Sequence, residues 1–369
     1  MKITANIIRI ITGMVFIFSG LVKGVDPLGF TYKFEDYLIA FHWELLMPLA
    51  FLFVIALCTL EFSIGVMLLF NLRMKLTSWL LLLMMVFFTG LTFNDALYNP
   101  VPDCGCFGDA IKLTNWQTFY KNVILIIFAV IVFIYRKKYS GFVKPGFQWL
   151  LALSFAVIFA CFSTYCYMHL PVIDFTEWKT GHKLFSENPK PVKYFLTYRD
   201  KLTGIKKEYL SPNYPFSDSV WMGKMEFVSQ RVEDPNDYYG KSLIITDTLQ
   251  NAVTESILRN TGYQLVVNSY SLNDANVKAF RDISEFSKKA AAVNIPTAVL
   301  VSAENRDIED FSKKNQLSMD FYLADDILLK TMVRSNPGIM LLKGGVIIEK
   351  WHWRDLPDFA DFNKKYHTN

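Results

Sequence analysis

Two cysteines separated by a single glycine, Cys104-Gly105-Cys106, form the arrangement in this chain best suited to chemistry. Cysteines two positions apart close only a small, strained ring, and strain raises the reduction potential of a disulfide. Such a pair gives up its disulfide more readily than a structural bridge does, and Gly105 relaxes the backbone that has to bend around it. The flanking Asp103 and Asp109 oppose thiolate formation, because nearby negative charge raises a thiol pKa. A plainer reading also fits: a fixed loop disulfide that pins two helices together. Cys166 is a candidate resolving partner for the pair, whereas Cys58 and Cys161 read as small buried hydrophobes.

A second group consists of charges set within apolar sequence, where an ionisable residue is a functional hypothesis by default. Arg9 and Glu61 are expected to pair and neutralise each other in a helix bundle. Lys23 and Asp95 lie at helix ends on the side of the cysteines and are expected to meet beneath them, where Lys23 would stabilise a thiolate or simply extend to the lipid headgroups. The five histidines, His42, His169, His182, His352 and His367, have no ligand spacing, so no metal is expected. Trp351 and Trp353 alternate along a strand and read as core or, less simply, as a docking face.

These residues sit in a chain of 369 residues that is 52% hydrophobic, with 32 phenylalanines and a net charge of +4. The composition is too apolar for an ordinary soluble domain, and the small charge gives no sign of nucleic-acid binding. The apolar excess lies before residue 170, in runs at 7–22, 45–69, 76–93, 119–135 and 147–167. Each is long enough, or nearly so, to cross a hydrocarbon core of about 30 Å as a helix. The first run continues into further spans without a small-residue cleavage site, so it reads as a retained helix. Lys2, Arg9, Arg73, Lys75, Arg136, Lys137, Lys138 and Lys144 fall on one side of these spans, which places the N-terminus in the cytoplasm and residues beyond 170 outside it.

Past the spans, 192–199 and 205–210 read as a β-hairpin about Lys201–Gly204, and 219–232 as a further strand. From about residue 240 the pattern alternates: strand 265–269, helix 276–292, strand 297–302, helix 309–314, strand 321–323, helix 327–333. It closes with a hairpin, 338–342 and 346–353, turned by Lys343-Gly344-Gly345. Such a run argues for a small α/β domain with a mixed sheet.

That order, with Asn336-Pro337 just before the hairpin, resembles the thioredoxin fold, and the resemblance implies a cis peptide at Pro337. The redox Cys-x-x-Cys should follow strand 265–269, yet the segment there is Tyr270-Ser-Leu-Asn-Asp-Ala-Asn276, and no cysteine follows Cys166. The soluble domain is therefore not expected to exchange disulfides itself. The N-terminal portion resembles the DoxX-like and MauE-like bacterial membrane proteins through Phe18-Ser-Gly-Leu-Val-Lys-Gly-Val-Asp-Pro27, through Glu61 and Gly65, and through Asp103-Cys-Gly-Cys-Phe-Gly-Asp109. The resemblance implies a four-helix membrane unit associated with thiol–disulfide or redox systems outside the cytoplasm.

The expected architecture is an all-α four-helix transmembrane bundle (1–140), a fifth transmembrane helix (141–170), a β-rich extracytoplasmic segment (171–240) and an α/β thioredoxin-like domain (241–369). The expected protein sits in a bacterial inner membrane with its C-terminal domain in the periplasm. There it supports thiol–disulfide handling, with electrons passing from a client thiol through Cys104 and Cys106 to Cys166, a quinone or another subunit. The competing expectation is a non-catalytic scaffold that binds an envelope partner through the cysteine-free domain. A transporter is disfavoured, because no pair of interrupted helices is apparent.

Overall fold

The computed structural model describes residues 2–101, 104–139, 141, 143–186, 188, 190–236, 240 and 242–366. Asp103 and His367 lie outside the described residues.

Among the described residues, five helices are long and apolar enough to cross a membrane: α1 (Lys2–Val25), α3 (Ala50–Leu69), α4 (Met74–Tyr98), α5 (Asn115–Tyr135) and α6 (Pro145–Met168). Ile7, Leu52, Leu83, Phe87, Ile127 and Ile158 point outward from them, as a lipid solvent requires. A sixth helix, α2 (Pro27–Ala40), was not expected. Its start is written locally: Asp26 caps it by accepting from the Gly29 N–H at 2.9 Å, and Pro27 occupies the first turn. A 3-10 turn (Glu44–Leu49) then leads into α3.

Antiparallel packing of α1 on α3 organises the bundle. A Cβ at Gly65 would lie 2.7 Å from the Ile17 nitrogen and 2.8 Å from the Gly13 carbonyl oxygen, and one at Gly20 would lie 2.9 Å from the Phe62 nitrogen. Small residues let the two backbones touch where lipid supplies no hydrophobic drive between helices. That register sets Glu61 against the upper half of α1 and the end of α3 against Arg9.

Beyond the membrane come β1 (Lys193–Asp200), β2 (Lys206–Leu210), α7 (Ser219–Lys224) and β3 (Met225–Glu233), a three-stranded antiparallel sheet in the order β2-β1-β3. The strand expected at 219–232 thus begins as a helix, because the Asp218 carboxylate accepts from the Val220 and Trp221 N–H groups and caps it. Next follow α8 (Thr254–Leu258), β4 (Tyr263–Ser269), α9 (Val277–Ala291), β5 (Thr297–Val301), α10 (Asn305–Asn315), β6 (Asp320–Leu323), α11 (Asp326–Met332), β7 (Gly338–Lys343), β8 (Val346–His352) and α12 (Phe359–Tyr366).

Strands β4 to β8 form one mixed sheet in the order β6-β5-β4-β7-β8. β4, β5 and β6 run parallel, while β7 is antiparallel to β4 and to β8. Alternate residues of β4 feed two cores. Leu265 and Val267 pack with Phe280, Ile283 and Phe362 on one face, and Val266 packs with Leu300, Leu329 and Met340 on the other. The Gly344-Gly345 turn has positive φ at both residues, as a tight hairpin requires. Trp351 and Trp353 join the first of these cores, although Trp353 lies in a 3-10 turn past the end of β8. The Asn336–Pro337 peptide is cis, and so is Ser211–Pro212, which was not anticipated.

Candidate functional site

The loop carrying Cys104-Gly105-Cys106 joins α4 to α5, and both of its ends are fastened. Asn99 closes α4 in a left-handed conformation, and the Asn115 side-chain amide donates to Asn99 Oδ1 at 2.7 Å and to the Val101 carbonyl at 3.0 Å. Thr114 and Gln117 form a reciprocal capping box that starts α5. From α1, the Ser19 hydroxyl donates to the Cys106 carbonyl at 2.8 Å. Gly105 adopts φ +64°, a conformation that favours glycine, and a Cβ there would fall 2.6 Å from Lys33 Cδ, so a larger residue would also shift the Lys33 side chain.

Within this frame the two thiols lie 2.9 Å apart, sulfur to sulfur, with Cys104 buried and Cys106 partly exposed. Their acidities diverge. The Cys104 S–H donates to Cys106, which is the main reason the Cys106 thiol falls to about 6; burial opposes the shift, and the Lys121 and Lys23 ammonium groups reinforce it. As donor and as a buried group, Cys104 is pushed well up. A thiolate at Cys106 beside a thiol at Cys104 is a poised nucleophile with its second sulfur in contact.

The expectation that neighbouring carboxylates suppress the thiolate is corrected at Asp109. Lys33 Nζ is 3.0 Å from its Oδ1 and Arg334 Nη2 is 2.9 Å from its Oδ2, so its charge is already compensated. Burial works against this carboxylate, but Lys33 and Arg334 outweigh it and hold its carboxyl below the usual range.

The intramembrane charges pair differently from the sequence expectation. Glu61 forms its ion pair with Lys23, both buried, and not with Arg9. Arg9 instead donates to the Leu68 and Leu69 carbonyls at the end of α3, where four carbonyls lack helical partners. The α1–α3 register explains both pairings, since it sets Arg9 beside the last turn of α3. Lys23 and Asp95 do not meet: Asp95 accepts from the Tyr37 hydroxyl of α2 at 2.7 Å. Lys23 nevertheless lies close enough to Cys106 to favour its thiolate.

Cys166 is buried near Asp26 and the backbone of Val172, and no hydrogen bond joins it to Cys104 or Cys106 among the described residues. Cys58 is fully buried against Val54, Phe30 and Phe159, as a small hydrophobe should be. Cys161 departs from that expectation and lies exposed on the outer face of α6.

The soluble domain contributes a side chain that sequence reasoning missed. Arg334, between α11 and the cis Asn336–Pro337 bond, is 6% exposed and grips Asp26 through Nε at 2.9 Å and Asp109 through Nη2 at 2.9 Å. Its Nη1 donates to the Lys330 carbonyl at 2.6 Å. Beside it Tyr270, the first residue of the cysteine-free segment, meets Tyr32 of α2 edge-on at 5.8 Å. The face formed by Tyr270 and residues 334–337 is therefore seated on α2 and on the cysteine loop. Lys350–Asp174 at 2.6 Å and His169–Asp355 at 2.6 Å extend the contact. The only local trace of α2 was Asp26-Pro27, a helix-start signal; nothing near Arg334 in sequence names its partners.

Residues 1–135 match the family model described as Methylamine utilisation protein MauE. Among curated proteins, Protein TlpB of Flavobacterium psychrophilum is 29% identical over 164 residues, an alignment covering 42% of this chain and 42% of that protein. The match thus spans less than half the length of the relative. No solved structure matches the chain. The bundle that holds the cysteine pair, residues 1–135, is a MauE family domain of a membrane protein.

Proposed function

We propose that this protein exchanges disulfides at the outer end of its membrane bundle, accepting electrons from thiol clients outside the cytoplasm. The observation that carries the reading is the Cys104–Cys106 pair, 2.9 Å apart, with the Cys106 thiol made more acidic than an ordinary cysteine and two ammonium groups nearby. A purely structural bridge has little to do here, because Ser19 and Asn115 already hold the loop without any bond between the sulfurs. In the forward step a client thiolate attacks the loop disulfide and forms a mixed disulfide. The client's second thiolate then displaces it, so the client gains one S–S bond and the loop is left as a dithiol. In the reduced loop Cys106 is the attacking sulfur and Cys104 the resolving one.

The outward orientation draws on the clustering of Arg73, Lys75, Arg136 and Lys137 around one polar cavity at the opposite end of the bundle. The mixed sheet, with β5-β4-β7-β8 in parallel, antiparallel and antiparallel register, supports a thioredoxin-like reading of the soluble domain. Lacking cysteines, that domain acts as a binding element seated over the loop.

The test is thiol trapping in cells. In Cys104→Ser the Cys106 thiolate attacks the disulfide of an oxidised client and, with no resolving sulfur, should accumulate as a mixed disulfide seen as a reducible shift on a gel; the double Cys104→Ser, Cys106→Ser variant should lose function at normal abundance. A double variant that fully replaces the wild type would end the exchange reading.

A further inference from the structure

An apolar cavity of about 380 Å³ runs from the cysteine pair into the bundle, bounded by α2, the 3-10 turn, α3 and α4. Its walls are Phe30, Phe34, Phe41, Leu57, Phe87 and Leu91 among others, and the polar groups that interrupt them are Lys23, Tyr37, Thr92 and the two sulfurs. Two lining residues, Trp43 and Phe87, are 59% and 63% exposed, and Phe87 lies within the membrane-spanning part of α4. The cavity therefore reaches the lipid-facing surface, and its occupant must partition from lipid.

We infer that this cavity binds a lipid-soluble quinone, which reoxidises the Cys104–Cys106 dithiol; the inference rests on the disulfide-exchange reading and names its electron acceptor. A dithiol at the end of an apolar cavity needs an acceptor of two electrons that is itself apolar, and the planar, aromatic-sized head of a quinone suits walls of phenylalanine. The Lys23 ammonium lies at the same end as the sulfurs, where a quinone carbonyl oxygen would take a hydrogen bond from it. The step balances without a further oxidant. The two cysteines lose two electrons and two protons to form one S–S bond, and the quinone takes up both to become the quinol. Each turnover then restores the disulfide that the next client consumes.

The test uses the full chain in lipid nanodiscs, reduced, desalted and mixed anaerobically with decylubiquinone. One quinol should form per chain as two thiols disappear. Leu46→Trp and Leu91→Trp, which fill the cavity while leaving both thiols and Lys23 in place, should slow quinol formation by about tenfold or more while exchange with glutathione disulfide stays at the wild-type rate. Wild-type protein that exchanges with glutathione yet forms no quinol would overturn the inference, as would tryptophan variants that match the wild type. Loss of both reactions in the wild type would instead bring down the exchange reading beneath it. A photoreactive azidoquinone gives a second measure that needs no variant: label on α2 or α4 supports the site, and label confined to other helices refutes it.

Discussion

The Cys104–Cys106 contact is an acid–base device before it is a redox one. One sulfur holds the proton and lends a hydrogen bond, and the other carries the charge. The Cys106 thiol ionises at about 6, so its alkylation by iodoacetamide should rise with pH through that value and level off above it. Cys104→Ala removes the donor and should move the midpoint upward. Cys104→Ser keeps a hydroxyl donor and should leave the midpoint low. Site-resolved mass spectrometry across a pH series checks this, and equal midpoints in the two variants would show that the hydrogen bond is not the cause. Lys23 and Lys121 make the smaller contribution, because Lys23 shares its charge with Glu61.

At the scale of elements, α1 and α3 form the tightest interface in the bundle, and their register decides which charges meet. A side chain at Gly65 has no room, with the Ile17 nitrogen 2.7 Å from its ideal Cβ, whereas Gly90 on α4 has open space around it. Gly65→Val should therefore separate the helices and cost about 1–3 kcal/mol by overpacking. Since the same register brings Lys23 to Glu61, the variant should also weaken that pair. Gly90→Ala is the control and should behave as wild type. Thermal unfolding in detergent, followed by native-gel mobility, compares the two, and equal midpoints would contradict the close-packed interface.

Across the whole molecule, Arg334 joins the soluble domain to the membrane unit through two carboxylates, Asp26 at the start of α2 and Asp109 in the cysteine loop. Removing one partner of a buried pair costs about 3–5 kcal/mol, because the remaining charges stay desolvated. Arg334→Met should accordingly release the soluble domain from the bundle. Gly29→Ala should loosen the same clamp without removing a charged group, since its Cβ would lie 2.3 Å from Asp26 Oδ2 and 2.5 Å from Arg334 Nη2. Distances between spin labels on the two parts would lengthen in both variants; unchanged distances would place the clamp's role elsewhere. The pH sign follows from Asp109, whose folded carboxyl is held below its ordinary value. Its contribution is fully present above the ordinary carboxylate range and is lost as pH falls through and below it, so docking should persist at neutral pH and loosen only in acid.

What the sequence by itself determined is what local chemistry controls. A helix that crosses lipid must be long and apolar, so five runs of hydrophobic residues sufficed to locate the spans. Period-two and period-3.6 patterns located β4 through β8, and the turn at Gly344-Gly345 is legible from residue type alone. The cysteine pair stood out by spacing. Tertiary structure decided the rest, because long side chains choose partners across helices by register and reach, which no stretch of sequence encodes locally. It moved Glu61 from Arg9 to Lys23 and gave Asp95 to Tyr37. It also seated Arg334 on Asp26 and Asp109, 308 and 225 residues away along the chain. The direction of the Cys106 acidity changed for the same reason: sequence showed carboxylates nearby, and only the fold showed the Cys104 thiol in contact with Cys106 and the Lys121 and Lys23 ammonium groups beside it.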